Sequence, residues 1–197
     1  QELINYTLTE PSRLERVVGP DDRIRRAPLS VVNPVAARHQ YLRTSLRASL
    51  LESYAANRAQ VEGSLRLVEV SVEYLPTEAD LPHERPVLCA VLGGPRVDRW
   101  GRATGERTDF FDAKGVAEAL MGALGVPAEY RPTETYGLLP GHTAEVRLKG
   151  DVLGVLGQVH PDTAAAFDID EPVFLLELSI EDLVRAVPDR PAYAPPS

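Results

Sequence analysis

The sequence predicts an α+β fold, an antiparallel sheet flanked by helices. Three observations predict it. Leu65–Leu75 alternates in period two, the mark of a strand. Lys149-Gly150-Asp151 is a tight turn between two apolar-rich runs, Ala144–Leu148 and Val152–Val159, and so forms a hairpin. Two stretches, starting near Ser45 and near Asp109, carry apolar residues at helical spacing. Hairpins with few helices place helices against an antiparallel sheet.

Taken in order, Glu2–Leu8 reads as a short strand, with Leu3, Asn5 and Thr7 on one side. Glu10–Val17 reads as a short helix and Ile24–Val32 as extended chain. Asn33-Pro34 marks a turn, because proline pushes the residue before it out of the helical region. Thr44 or Ser45 can cap the next helix by accepting from an orphan backbone N–H. That helix runs from Ser45 to about Arg58 with Leu46, Leu50, Leu51 and Tyr54 on its apolar face and Arg47 and Arg58 off it. In Leu65–Leu75, Val68, Val70, Val72 and Tyr74 face one way, and Leu67, Glu69, Ser71 and Glu73 the other. Pro76–Pro86 reads as a loop, Val87–Leu92 as a strand, and Arg96–Thr108 as an exposed connection. Asp109 or Asp112 can cap the second long helix, whose apolar stripe is Val116, Leu120, Ala123 and Leu124. Gly125 and Pro127 stop it. Strands follow over Ala128–Thr135, Ala144–Leu148 and Val152–Val159, then a short helix Pro161–Phe167, a strand Val173–Leu178 and a closing helix Ile180–Val187. There is no internal repeat. Residues 1–188 are expected to form one core module, and 189–197, rich in proline, the start of a linker.

The formal net charge is −8, and Lys114 and Lys149 are the only lysines. A free-standing nucleic-acid binder usually carries a basic surplus, so direct RNA binding by this chain alone is disfavoured. No run is long and apolar enough for a membrane helix, and no signal peptide is visible, so no membrane association is expected. The opening QELINYTL lacks an initiator methionine, which suggests a start inside a longer protein. Cys89 is the only cysteine; an intrachain disulfide is excluded, which suits a cytoplasmic location. It lies in an apolar run and reads as a small buried hydrophobe.

Candidate chemistry is sparse. His39, His83, His142 and His160 form no close ligand pair with one another or with the cysteine, so no metal site is expected. Gly154 and Gly157 lie within a strand, where glycine marks a bulge or a close backbone approach. A buried Glu69 would need an arginine partner, and Arg43 and Arg66 are the candidates.

Several blocks, in order, resemble one family. They are QELINYTL, NPVAARHQYLRTSLRASLLESYAAN, LRLVEVSVEYL, DFFDAKGVAEALMGALGV and the closing stretch from LLPGHTAEV to LSIEDL. The set is similar to the β subunit of bacterial phenylalanyl-tRNA synthetase and covers nearly the whole chain. The resemblance implies a catalytic-like module with the class II aminoacyl-tRNA synthetase core. It implies an α subunit as partner, tRNA(Phe) met through the whole complex, and ATP and magnesium used by the whole enzyme. It implies active-site residues in the α subunit, and residues 189–197 as the lead-in to a C-terminal anticodon-binding domain.

Class II enzymes place one phosphate-binding arginine in an Arg-x-Glu motif and another in a glycine-rich motif near the end of the fold. Arg66 and Glu69 have the wrong spacing for the first. Leu153–Leu183 has no arginine for the second. The chain also has Ser71-Val72 where the family often has Gly-Arg. The expectation is therefore a non-catalytic assembly module with no catalytic, cofactor or metal residues. Arg43, Ser45, Arg47, Tyr54 and Glu69 are its candidate structural or assembly residues. The alternative is a small-ligand-binding or active domain on the same scaffold, with a pocket around Arg43, Glu69 and His142.

Overall fold

The computed structural model describes residues 1–34, 39–61, 63–98 and 100–187. The expected linker at 189–197 lies outside the described residues, as do positions 35–38 of the segment after the Asn-Pro turn. The fold is α+β, and its centre is a six-stranded antiparallel sheet. Its strands are β3 (Leu65–Leu75), β4 (His83–Gly93), β7 (Glu129–Pro132), β8 (Leu138–Leu148), β9 (Asp151–Val159) and β10 (Val173–Ser179). They lie in the order β3-β4-β10-β9-β8-β7. β10, the most apolar strand, sits between β4 and β9, and every one of its residues is buried.

Each face of the sheet has its own core. One face carries α1 (Pro11–Leu14) and α2 (Arg47–Arg58), through Leu14, Leu50, Leu51 and Tyr54 packed on Leu65, Leu67, Val91, Val173 and Leu175. The other carries α3 (Phe110–Ala123) and α5 (Ile180–Ala186), packed on Leu92, Leu156, Phe174 and Leu176. Full burial of a leucine or phenylalanine contributes roughly 1.5–3 kcal/mol, so these two layers dominate the stability. A short pair, β1 (Leu8–Thr9) with β2 (Tyr41–Leu42), ties the N-terminal segment to the start of α2. α4 (Pro161–Ala165) links β9 to β10.

Several local expectations shift. Glu2–Leu8 is not a continuous strand; Glu2 forms one parallel bridge to Val68, and regular pairing begins only at Leu8. Ile24–Val32 begins in turns instead of extended chain, because the Asp22 side chain accepts from the Arg25 N–H and folds the backbone back. β4 starts at His83, inside the expected loop, since β3 offers it partners as far as Leu75. Arg96–Thr108 is a two-stranded hairpin, β5 (Pro95–Val97) with β6 (Ala103–Arg107). In α3 the buried stripe is Ala113, Ala117 and Met121 instead of the larger residues beside it; Val116, Leu120 and Leu124 are half-buried and Ala123 is exposed. Small alanines let this helix lie close to the sheet. Asp109 caps it, accepting from Phe111 and Asp112, while the Asp112 side chain accepts from the Asp109 N–H. Gly125, at φ 68°, takes the left-handed conformation that ends the helix. The Lys149-Gly150 turn has both residues at positive φ, as a two-residue hairpin turn requires.

Candidate functional site: a buried arginine–carboxylate face

On the α2 side of the sheet, the apolar core gives way to a polar patch built on β3, β4 and β10. Register creates it. Glu69, Cys89 and Glu177 are paired across three neighbouring strands and so form one row. Glu73 lies four residues beyond Glu69 on β3 and therefore shares its face. Glu69 and Glu73 are fully buried, and Glu177 nearly so.

Arg43 lies just before α2, and its side chain is 2% exposed. Its Nη1 donates to Glu69 Oε1 at 2.8 Å, its Nη2 to Ser71 Oγ at 2.5 Å and its Nε to the Val72 carbonyl at 3.2 Å. Glu69 also accepts from the Asn5 backbone N–H at 3.2 Å and from Asn5 Nδ2 at 2.8 Å. Ser53 donates to Asn5 Oδ1, so α2 is part of the same network. Arg43 is thus the partner of Glu69, whereas Arg66 is exposed. His142 is an exposed residue of β8 and does not line the cavity that Arg43 lines.

Arg47, expected off the apolar face of its helix, instead points into the sheet. Its Nε and Nη2 grip both oxygens of Glu177, at 2.7 and 3.2 Å, and its Nη1 donates to the Tyr136 carbonyl at 3.3 Å. Burial works against both charges, but each outweighs it for the other: the Glu177 carboxyl is held below the usual glutamate range and the Arg47 guanidinium is raised. Gly154 positions this pair. A side chain there would meet the Glu177 carbonyl at 1.9 Å, so only glycine lets β9 approach β10 this closely. Gly157 likewise has Thr143 Oγ1 2.7 Å from where a Cβ would stand. Ser45 accepts from the Arg47 N–H at 3.2 Å and turns the chain into α2, which begins at Arg47.

Glu73 is the least well served. Arg25 at 3.5 Å and Arg85 at 3.2 Å both address Oε2, and Oε1 is buried with no hydrogen-bond partner. Burial, then repulsion from Glu177, pushes its pKa up to about 7. Burial also raises the Cys89 thiol, with Glu177 adding to it, so Cys89 is a packed thiol and not a thiolate nucleophile. Tyr54 ends a separate network. Its hydroxyl donates to Glu171 at 2.7 Å, beside the Arg58–Glu171 and Arg107–Glu171 ion pairs, and passes over Gly93 where a Cβ would lie 2.2 Å from it.

The expected residues Arg43, Ser45, Arg47 and Glu69 therefore meet at one patch, and Tyr54 lies apart from it. Arg25, Glu73, Arg85 and Glu177 were missed. Signals pointed to the two glutamates only: Glu73 has the parity of Glu69, and Glu177 is the one charge in the apolar run VFLLELS. A cavity of about 190 Å³, lined in part by Asp22, Arg25, Ser45, Arg47, Tyr136 and Glu177, opens beside the patch. Among the described residues no group of three or more His, Cys, Asp or Glu side chains is placed to hold a metal ion.

This sheet, with a polar row covered by helices and an N-terminal segment, has the fold of the class II aminoacyl-tRNA synthetases. The pyrrolysyl tRNA synthetase of Desulfitobacterium hafniense superposes with a TM-score of 0.65 over 93% of this chain and 61% of that one, at 16% identity. Sequence goes further than fold. Residues 1–180 match the phenylalanyl tRNA synthetase beta chain CLM domain, and the chain belongs to that family. Phenylalanine–tRNA ligase beta subunits from Dehalococcoides mccartyi are 39% and 40% identical over 93% and 99% of the chain. The one from Syntrophotalea carbinolica is 39% identical over 94%. The chain spans only 22–24% of the length of these relatives.

Proposed function

We propose that this chain is a non-catalytic core module of a phenylalanine–tRNA ligase β subunit that supports assembly with the α subunit, and through it aminoacylation of tRNA(Phe). The carrying observation is that the arginines of the polar face are already committed. Arg25, Arg43, Arg47 and Arg85 each hold a carboxylate of the sheet. Activation of an amino acid by ATP needs arginines held ready for phosphate charge. Arginines locked 2.7–3.5 Å from glutamates do not fit a nucleotide and its magnesium, so ATP and magnesium belong to the whole enzyme in this reading. Ile4 and Tyr6, large apolar side chains left in solvent, suit a surface that a partner covers. No helix among the described residues is long and apolar enough to cross a membrane, in keeping with work beside tRNA in the cytoplasm.

The test has two parts. The chain alone is expected to show no phenylalanine-dependent ATP–pyrophosphate exchange, and exchange above background would overturn the non-catalytic reading. Co-expressed with the α subunit from the same organism, it is expected to co-purify as a complex. Separate elution of the two would overturn the assembly role.

A further inference from the structure

Arg25, Arg43 and Arg47 all come from the chain between Gly19 and the first turn of α2, and each reaches a different carboxylate of the sheet. The three carboxylates are unequally served. Both oxygens of Glu69 accept, from Arg43 and Asn5. Both oxygens of Glu177 accept from Arg47. Glu73 accepts only through Oε2, at 3.5 and 3.2 Å, and Arg25 divides itself between Glu73 and Asp22. A bare carboxylate oxygen in a dry site is costly, and the group answers by taking a proton or by letting water in.

The turn-rich stretch that bears Arg25 lies against Glu73 through that ion pair. Within it the bonds are local, Asp22 N–H to the Gly19 carbonyl at 3.1 Å, Arg26 N–H to the Asp22 carbonyl at 3.0 Å and Arg25 N–H to Asp22 Oδ1 at 3.0 Å, while the Arg26 side chain anchors one end on the Val18 and Glu15 carbonyls and the Leu42 N–H holds the other at the Leu29 carbonyl. Thr44 adds one hydroxyl bond to the Arg25 carbonyl. No regular helix or strand reinforces it between Gly19 and Leu29.

We propose that residues 19–30 form a strap whose docking on the sheet is governed by protonation of Glu73. With the acid neutral the strap lies closed; with the acid ionised it opens and admits water to the carboxylate. The groups that bear on Glu73 are Arg25 and Asp22 from the strap, Arg85 and Cys89 from β4, Arg47 from α2, Glu177 from β10 and Glu69 on its own strand. Arg25 and Arg85 favour ionisation but are partly exposed and share one oxygen, whereas burial and Glu177 oppose it and hold the pKa near 7. Opening returns the carboxyl to water and toward its ordinary 4.5, so opening releases a proton. Rising pH therefore favours the open strap, by about tenfold per pH unit between roughly 4.5 and roughly 7, and no further beyond.

Amide hydrogen exchange on the 197-residue chain tests this, with rates corrected for the intrinsic base catalysis of exchange. The corrected opening of the Asp22, Arg25 and Arg26 amides is expected to rise by that factor, while amides in β4 and β10 stay flat. Glu73→Gln cannot ionise, and its strap amides are expected to stay protected at every pH. Infrared spectra of the unmutated chain are expected to show a buried protonated carboxyl band at neutral pH that fades as pH rises and is missing from E73Q. The same pH dependence in E73Q would overturn the proposal. So would the lack of that band in the unmutated chain, an arm that does not depend on the variant folding.

Discussion

At the scale of single residues, this protein spends its buried charge in pairs. A buried arginine or glutamate costs several kcal/mol in desolvation, recovered only when a partner and further hydrogen bonds are well placed. The Arg43–Glu69 pair meets that condition, since four further groups complete it: Ser71 and the Val72 carbonyl on Arg43, and the N–H and amide of Asn5 on Glu69. Removing one member strands the other. Arg43→Ala is expected to lower the unfolding free energy by about 3–5 kcal/mol in urea titration. The double change Arg43→Met with Glu69→Leu is expected to recover most of it, because no charge is left unpaired. A double mutant as unstable as R43A would mean that packing, not charge, sets the loss. The need of Glu69 for an arginine is legible in the sequence, because a glutamate on the leucine-bearing side of a strand cannot remain unpaired. The pairing of Arg47 with Glu177 is not legible, because 130 residues separate the two and only strand order brings them together.

At the scale of elements, β3, β9 and β10 were readable to within a residue, whereas β8 begins at Leu138, well before the expected Ala144. What escaped was decided by neighbours. β4 extends to His83 because β3 is long enough to pair it, and the polar 95–107 stretch forms a hairpin although its composition reads as loop. The face of α3 was misjudged because periodicity favours the largest apolar residues, whereas close contact with the sheet selects alanine. Close approach also explains Gly154, which the sequence did flag. Gly154→Ala drives a methyl into the Glu177 carbonyl, and backbone cannot swing aside as a side chain can. Overpacking of this kind typically costs about 1–3 kcal/mol, and displacement of Glu177 adds the loosening of Arg47. The expected result is a lower urea midpoint together with faster exchange of the Arg47 amide. Unchanged stability in G154A would show that β9 and β10 separate freely.

At the scale of the whole molecule, the sheet divides labour between its faces: one is a dry apolar layer under α3 and α5, and the other holds the ionic patch under α2 and the N-terminal segment. Titration of the ionic patch under α2 therefore includes two glutamates shifted in opposite directions. Glu177 has its folded pKa lowered, so its contribution is present above the ordinary value of 4.5 and is lost as pH falls through the lowered one. Glu73 has its folded pKa raised to about 7, so its contribution is full below 4.5 and is lost as pH rises toward 7. The two contributions bracket a maximum on the acid side of neutrality, which neither glutamate alone would produce. Between about pH 4.5 and about pH 7 the Glu73 contribution declines by on the order of 3 kcal/mol. Urea unfolding at a series of pH values is expected to show that decline in the unmutated chain. In E73Q the neutral amide binds no titrating proton, so most of the decline toward neutral pH is expected to vanish while the acid limb, to which Glu177, Asp22 and Asp112 contribute, remains. Parallel curves for the two proteins would place the titrating group elsewhere, and loss of the acid limb as well would mean that Glu73 and Glu177 act as one unit.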